Sequence, residues 1–452
     1  MKEIIQLRSK ISADAGAFSD TLFNLGRSAM LLFLAILYSS CTLQKSYWVE
    51  SKNSVGNDAL KFAKIPATDS DCQIKYHRNL RVIEYDDSGD RWERMQVLAA
   101  VQAIRTARKV PVVVYAHGWR HNAKPNRENN LKDFSDFLLY REEHGQPVIG
   151  IYIGWRGASV YEEGALAPFV APAMAVSLLD RIPAADRINS IPLVDDLWTL
   201  RKYANLSESP LVLVGHSLGG RIIERAVSQS IVAYNSQRAN YGDISSAEPK
   251  PADRNVDSNE RREALIADLT ILINPASESL YARRFKMALR NWPTNEPPAV
   301  ISITSESDTA MKNLWPIGRT ANRVLDPFAA LPSREFRLGH HEDPDSNLAE
   351  SQESYLNKSA GFDERQLAAV ADFGPNEEYL FSNVDMMRHG LSNHGYLVLR
   401  CRDSILAGHG GDPEKGGVFS KEMNGFVSCL ARDTVFSRNY PKSPLFRALH
   451  AR

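Results

Sequence analysis

With 452 residues, 43% of them hydrophobic, the chain has enough apolar material for one large domain with insertions or for two domains. Lys plus Arg and Asp plus Glu each number 54, so the formal net charge is zero and no global field draws the protein to nucleic acid. The four cysteines, Cys41, Cys72, Cys401 and Cys429, are too few and too unevenly spaced for a disulfide framework or a CxxC-type zinc site. In an oxidising compartment Cys401 and Cys429 could pair; free buried thiols are the alternative.

The first fifty residues read as a signal or anchor segment. Ser28 to Gln44, "SAMLLFLAILYSSCTLQ", carries no charge, with Arg27 before it and Lys45 after it. Its apolar centre, Ala29 to Tyr38, is short for a bilayer span and suits the hydrophobic core of a signal peptide. The small residues Ser39 and Ser40 then precede Cys41, which resembles a bacterial lipoprotein processing site and makes Cys41 the lipidation candidate. Tyr38 departs from that pattern, which usually has leucine there. An uncleaved signal anchor and a buried N-terminal helix are the alternatives. The first two readings place the rest of the chain in the cell envelope or outside the cell, with membrane association through the N-terminus.

Residues 51–77 read as a polar linker, and residues 78–400 as the main domain. "LRVIEYDD" (Leu80 to Asp87) predicts a first strand, and Val97, Leu98, Val101 and Ile104 recur at helical spacing within Arg91 to Arg108. "VPVVVYAHGW" (Val110 to Trp119) and "PVIGIYIGW" (Pro147 to Trp155) are β-branched runs of the kind buried on both faces of a parallel sheet. Gly164 to Leu179 is uncharged and holds Pro168 and Pro172; it predicts either a lid or acyl-binding wall, or a buried helix pair broken at the prolines. Further helices are expected over Arg187 to Leu206 and Arg221 to Val232, with a strand at Pro210 to Gly215 between them. A polar insertion over about 234–262 precedes two more buried strands, Ala267 to Ala276 and Ala299 to Asp308. A second insertion spans about 311–376. "EYLFSNVD" (Glu378 to Asp385) predicts the last strand, "NHGYLVLRC" a closing helix, and residues 401–452 a C-terminal extension. Strands that alternate with helices, each strand nearly all apolar, predict an α/β fold with a mostly parallel central sheet flanked by helices.

Gly215-His216-Ser217-Leu218-Gly219 fits G-x-S-x-G between a predicted strand and a predicted helix. A serine on so sharp a turn needs small neighbours two residues to either side, where strand and helix crowd together. Its hydroxyl then stands clear at the end of the strand, and the helix N-terminus favours a developing oxyanion. A glycine-rich turn serving only close helix packing is the competing reading. With "GHSLGG", the chain from about Leu80 to Leu399 resembles the α/β-hydrolase superfamily, and more narrowly its lipase- and esterase-like members.

That resemblance implies a nucleophile, an acid and a histidine in that chain order. It makes Ser217 the nucleophile and, from the His117-Gly118 dipeptide after an earlier strand, makes the Trp119 and Leu218 N–H groups the oxyanion hole. His117 reads as a brace for that loop rather than a base. Asp308, at the end of its strand, is the expected acid, with Glu306 and Glu278 as rivals. His394 is the expected base, because "NHGY" opens an apolar run that would anchor its loop; His389 is the rival. His409 and His450 lie in the expected tail, and His340 and His341 in the insertion.

"HHED" at His340 to Asp343 has metal-ligand residue types, but consecutive residues cannot all face one ion. No nucleotide-binding glycine motif follows any strand. The expected function is therefore serine hydrolysis of carboxylic esters, including lipid or acyl esters, with no cofactor, no metal and no nucleic-acid partner. A thioesterase, amidase or acyltransferase on the same triad is one alternative. A catalytically silent interaction protein of the envelope is the other.

Overall fold

The computed structural model describes residues 46–50, 62–64, 76–125, 130–143, 145–158, 167–241, 264–277, 288–289, 299–305, 308, 395–401, 406–410, 417–420, 423–424 and 427. The aliphatic runs become the strands β3 (Leu80–Glu84), β4 (Val112–Ala116), β5 (Ile149–Gly154), β6 (Leu211–His216), β7 (Leu269–Ile273) and β8 (Val300–Ser305), joined by β9 (Tyr396–Cys401). They form one sheet in the order β3-β5-β4-β6-β7-β8-β9, and each neighbouring pair is parallel. Every residue of β4 to β8 is buried, as expected of strands covered on both faces. A separate antiparallel ribbon pairs β1 (Trp48–Glu50) with β2 (Phe62–Lys64).

Helices cover the sheet: α1 (Arg94–Thr106), α2 (Asn130–Glu143), α3 (Ala167–Ile188), α4 (Ile191–Leu206) and α5 (Leu218–Tyr241). Side chains alternate across the strands, so Val112, Val114 and Ala116 of β4 join the core with Ile104, Leu197 and Ile222. Val113 and Tyr115 point the other way, to Phe134 and Leu138 of α2. On α1 the buried Val97, Ala100, Val101 and Ile104 hold the predicted one-face spacing, and each large apolar side chain stabilises the fold by about 1.5–3 kcal/mol on burial. The buried pair Arg201–Asp268 (2.6 Å) fixes α4, because Asp268 also accepts from the Leu211 N–H at the start of β6.

The uncharged stretch is not a helix pair. Its residues 167–179 open the continuous helix α3. Pro168 falls in the first turn, where no intrahelical N–H bond is required, and Pro172 removes only one later bond. α5 continues to Tyr241, into the expected first insertion. "YLVLRC" is strand β9 and not a helix; Glu378 to Asp385, expected to be the last strand, lies outside the described residues. Among the described residues no helix is long and apolar enough to cross a membrane.

At the carboxyl end of the edge strand β3, Glu84 is 3% exposed and accepts from Ser46 Oγ (2.6 Å) and the N–H groups of Tyr47 and Trp48 (both 2.9 Å). Burial raises its pKa, against the lowering effect of these donors. Trp48 is buried and donates from Nε1 to the Ala123 carbonyl, so the chain after the N-terminal segment is pinned to this edge of the sheet.

Asp133, in the first turn of α2, is desolvated, and its pKa is raised from 3.8 to about 6. A carboxyl group more easily protonated when folded costs nothing below the unfolded pKa and destabilises increasingly as pH rises from about 4 to 6. Asp133→Asn is expected to unfold at higher denaturant concentration than the parent at pH 8, by about 1–2 kcal/mol after allowance for solvent screening. At pH 4 the two unfolding curves should coincide.

Candidate active site

The chain passes from β4 outward to β5, then returns across the sheet to β6 and leaves for β7 in the opposite direction. Connections that diverge in this way open a crevice at the carboxyl ends of the two central strands, where ligands of open α/β sheets bind. Here β4 runs into Gly118 and Trp119, and β6 runs into Ser217.

Ser217 has φ 55°, the left-handed conformation that strains a residue bearing a Cβ. The turn holds it there: its N–H donates to the Ile273 carbonyl (3.0 Å), and its carbonyl accepts from Ala276 (2.9 Å) and Arg221 (3.1 Å). The glycine spacing follows from the crowding around it. A Cβ on Gly215 would lie 2.6 Å from the Gly219 carbonyl oxygen, and one on Gly219 would run into the carbonyl oxygens of Ala116 and His117. One on Gly118 would lie 2.8 Å from Ser217 Cβ. The loop after β4 therefore passes directly against the serine.

The Ser217 hydroxyl lies 2.6 Å from His409 Nε2, and His409 Nδ1 lies 2.8 Å from Asp308 Oδ2. In the neutral tautomer that both contacts satisfy, Nδ1–H donates to the carboxylate and Nε2 accepts from the serine. Asp308 is 4% exposed, whereas the His409 side chain is 24% exposed, so the imidazole reaches solvent while the carboxylate behind it is enclosed.

The histidine hydrogen-bonded to Ser217 is thus His409, and not the His394 expected there. His394, His389, Glu306 and Glu278 lie outside the described residues. Gly395, the next residue after His394, accepts from the N–H groups of Ala299 and Val300 at the start of β8, which is the amino edge of the sheet, opposite Ser217. With "YLVLRC" as the last strand rather than the expected helix, His409 is the first histidine after that strand, flanked by Gly408 and Gly410 in a tight loop.

The N–H groups of Trp119 and Leu218 donate no hydrogen bond among the described residues, and Leu218 opens α5, so its N–H is one of the helix's uncommitted donors. His117 is fully buried. Its Nδ1–H donates to the Gly118 carbonyl (2.9 Å) while Nε2 accepts from the Trp155 N–H (3.2 Å), and its ring stacks on Trp155 and Tyr152. Burial lowers its pKa to about 4, and both ring nitrogens are committed; it braces the loop. His216 Nε2 meets the His409 carbonyl, and burial with the nearby His409 lowers its pKa to about 3. Cys41 lies outside the described residues.

A parallel sheet flanked by helices, with a serine on a strand-to-helix turn at its switch point, defines an α/β-hydrolase-like fold. No family model matches the chain, and no curated protein matches it. Among solved structures it is similar to an inhibited esterase B from Lactobacillus rhamnosis, at 13% identity and a TM-score of 0.21, over 58% of this chain and 80% of that one.

Proposed function

We propose that the protein is a serine hydrolase that cleaves carboxylic esters through an acyl-enzyme on Ser217. The observation that carries this is the continuous hydrogen-bonded chain Ser217–His409–Asp308 at the carboxyl edge of the sheet. His409 Nε2 takes the hydroxyl proton as Oγ attacks the ester carbonyl, and Asp308 stabilises the imidazolium that forms. The oxyanion is received by the N–H groups of Leu218 and Trp119. Collapse of the tetrahedral intermediate passes the proton from His409 to the departing alkoxide. Water, deprotonated by the same nitrogen, then releases the acid.

For the substrate, the reading extends to lipid or other acyl esters. The indole N–H of Trp119, beside the oxyanion turn, meets Ser177 Oγ at 3.5 Å, and Ser177 lies in the uncharged part of α3, a suitable wall for an acyl chain. Lipidation at Cys41 and residence in the envelope belong to the same proposal. The pinning of Ser46 to Trp48 at Glu84 is compatible with it, since Glu84 ends β3 at the same carboxyl end of the sheet as Ser217.

Hydrolysis of nitrophenyl esters of graded acyl length tests this: kcat/KM is expected to rise with chain length. Rapid turnover of thioesters or amides with inert oxygen esters would assign the triad to the other acyl-transfer chemistries. Failure of the folded protein to react with a fluorophosphonate would remove the enzyme reading.

A further inference from the structure

His409 sits between two glycines, and Gly408 has φ 63°, so the local chain has little stiffness of its own. Yet the base must stay within hydrogen-bond reach of Ser217 on one side and Asp308 on the other. Two buried side chains outside the triad meet its backbone. Asn274, just beyond β7, donates from Nδ2 to the carbonyls of both Gly408 and His409 (2.9 Å each). His216 Nε2 lies 2.8 Å from the same His409 carbonyl, and a carbonyl only accepts, so Nε2 carries the proton.

Asn274 has one amide orientation that suits its surroundings, because its Oδ1 accepts from the Ser305 N–H (2.8 Å) while Nδ2 serves the two carbonyls. It is 2% exposed and held at φ 40°, a conformation asparagine tolerates better than most residues. Its own N–H donates to the Ile303 carbonyl. It therefore ties the base's loop to β8, the strand that leads to Asp308. His216, next to Ser217 in the chain, ties the same loop to the nucleophile's strand.

We propose that Asn274 and His216 are positioning residues that lock the His409 loop to the two strands carrying the acid and the nucleophile, fixing the base by its backbone carbonyl. Both lone pairs of the His409 carbonyl are used, one by each residue. The imidazole stays free to move its proton, while the loop beneath it does not move. His216 suits this role because it is held neutral: its Nδ1 is buried without a hydrogen-bond partner among the described residues, so a second proton there would have nowhere to be solvated. This inference rests on the hydrolase reading for its catalytic consequence, but the clamp can be tested without turnover.

Asn274→Asp keeps the side chain's shape and its acceptor for Ser305 while replacing the donor with an oxygen that repels both carbonyls. It is expected to lower kcat about 10²-fold, the scale of an ångström-sized misplacement of a catalytic group, with KM nearly unchanged. His216→Phe should lower kcat in the same way. His216→Gln, whose amide N–H reaches the position of Nε2, should recover most of the loss. Independently of turnover, the low-field proton resonance of His409 Nδ1–H should be sharp in the wild type and broadened or lost in Asn274→Asp and His216→Phe. Wild-type kcat and an intact resonance in those two folded variants would overturn the proposal, as would equal losses in His216→Phe and His216→Gln. If Asn274→Asp does not fold, the His216 pair decides. A wild type that shows the sharp resonance but does not react with a fluorophosphonate would sink the hydrolase reading and leave the clamp standing.

Discussion

Replacing Ser217 by alanine is expected to lower ester hydrolysis about 10⁴- to 10⁶-fold and to abolish fluorophosphonate labelling, and His409→Ala is expected to cost about as much. Triad members act as a unit, so loss of either the nucleophile or its base leaves only the contribution of binding and the oxyanion donors. The 2.6 Å contact between Ser217 Oγ and His409 Nε2 is the basis for assigning the base role to His409. A parallel His394→Ala variant is expected to keep its activity within a few-fold of the parent, because His409 holds the place beside Ser217. Loss of activity in His394→Ala with retention in His409→Ala would reverse the assignment. His409→Ala should leave thermal unfolding nearly unchanged, because His409 is partly exposed and its removal opens no sealed cavity.

The second large effect is expected at Asp308. Asp308→Asn should reduce kcat about 10⁴-fold at neutral pH with little change in KM. An amide turned to donate toward Nδ1 would put the imidazole proton on Nε2, where it cannot accept from Ser217. Turned the other way it would keep the tautomer but not the negative charge that stabilises the imidazolium. Glu306→Gln and Glu278→Gln, at the two carboxylates that rival Asp308 on sequence grounds, should stay near the parental rate. A steady-state comparison of the three variants decides which carboxylate serves the base.

The steric logic of the elbow was legible in the residues themselves. Gly215 and Gly219 must be glycine because a Cβ at either would strike backbone, and the short aliphatic run before the serine, bounded by Pro210 and Gly215, reads as a strand buried on both faces. The same holds for the sheet: β4 to β8 are short aliphatic runs separated by helical periodicity, and each formed where its composition placed it. The role of His117 was also accessible, since a histidine at the end of a buried strand has no water to share a charge with.

The base was harder to find. Local pattern cannot order histidines scattered after the last strand, and "YLVLRC" alternates too weakly to declare itself a strand rather than a helix. Its pairing with β8 supplies the missing information. That is a long-range contact, paid for by neighbours nearly a hundred residues earlier in the chain. The continuity of α3 was not legible because a proline is tolerated in a helix's first turn, and where the helix starts fixes whether Pro168 falls there.

By itself, then, the sequence determined the alternating α/β order, the glycine-flanked strand-to-helix turn at Ser217, the braced loop carrying Trp119, and a carboxylate at the end of β8. These depend on local sterics and on hydrophobic period, which neighbouring residues settle among themselves. Only the tertiary structure decided that His409 is the histidine beside Ser217 and that Asn274 and His216 hold its loop. Those contacts join residues 134 to 193 positions apart, and their existence depends on the parallel register that brings the carboxyl ends of β6, β7 and β8 to one edge.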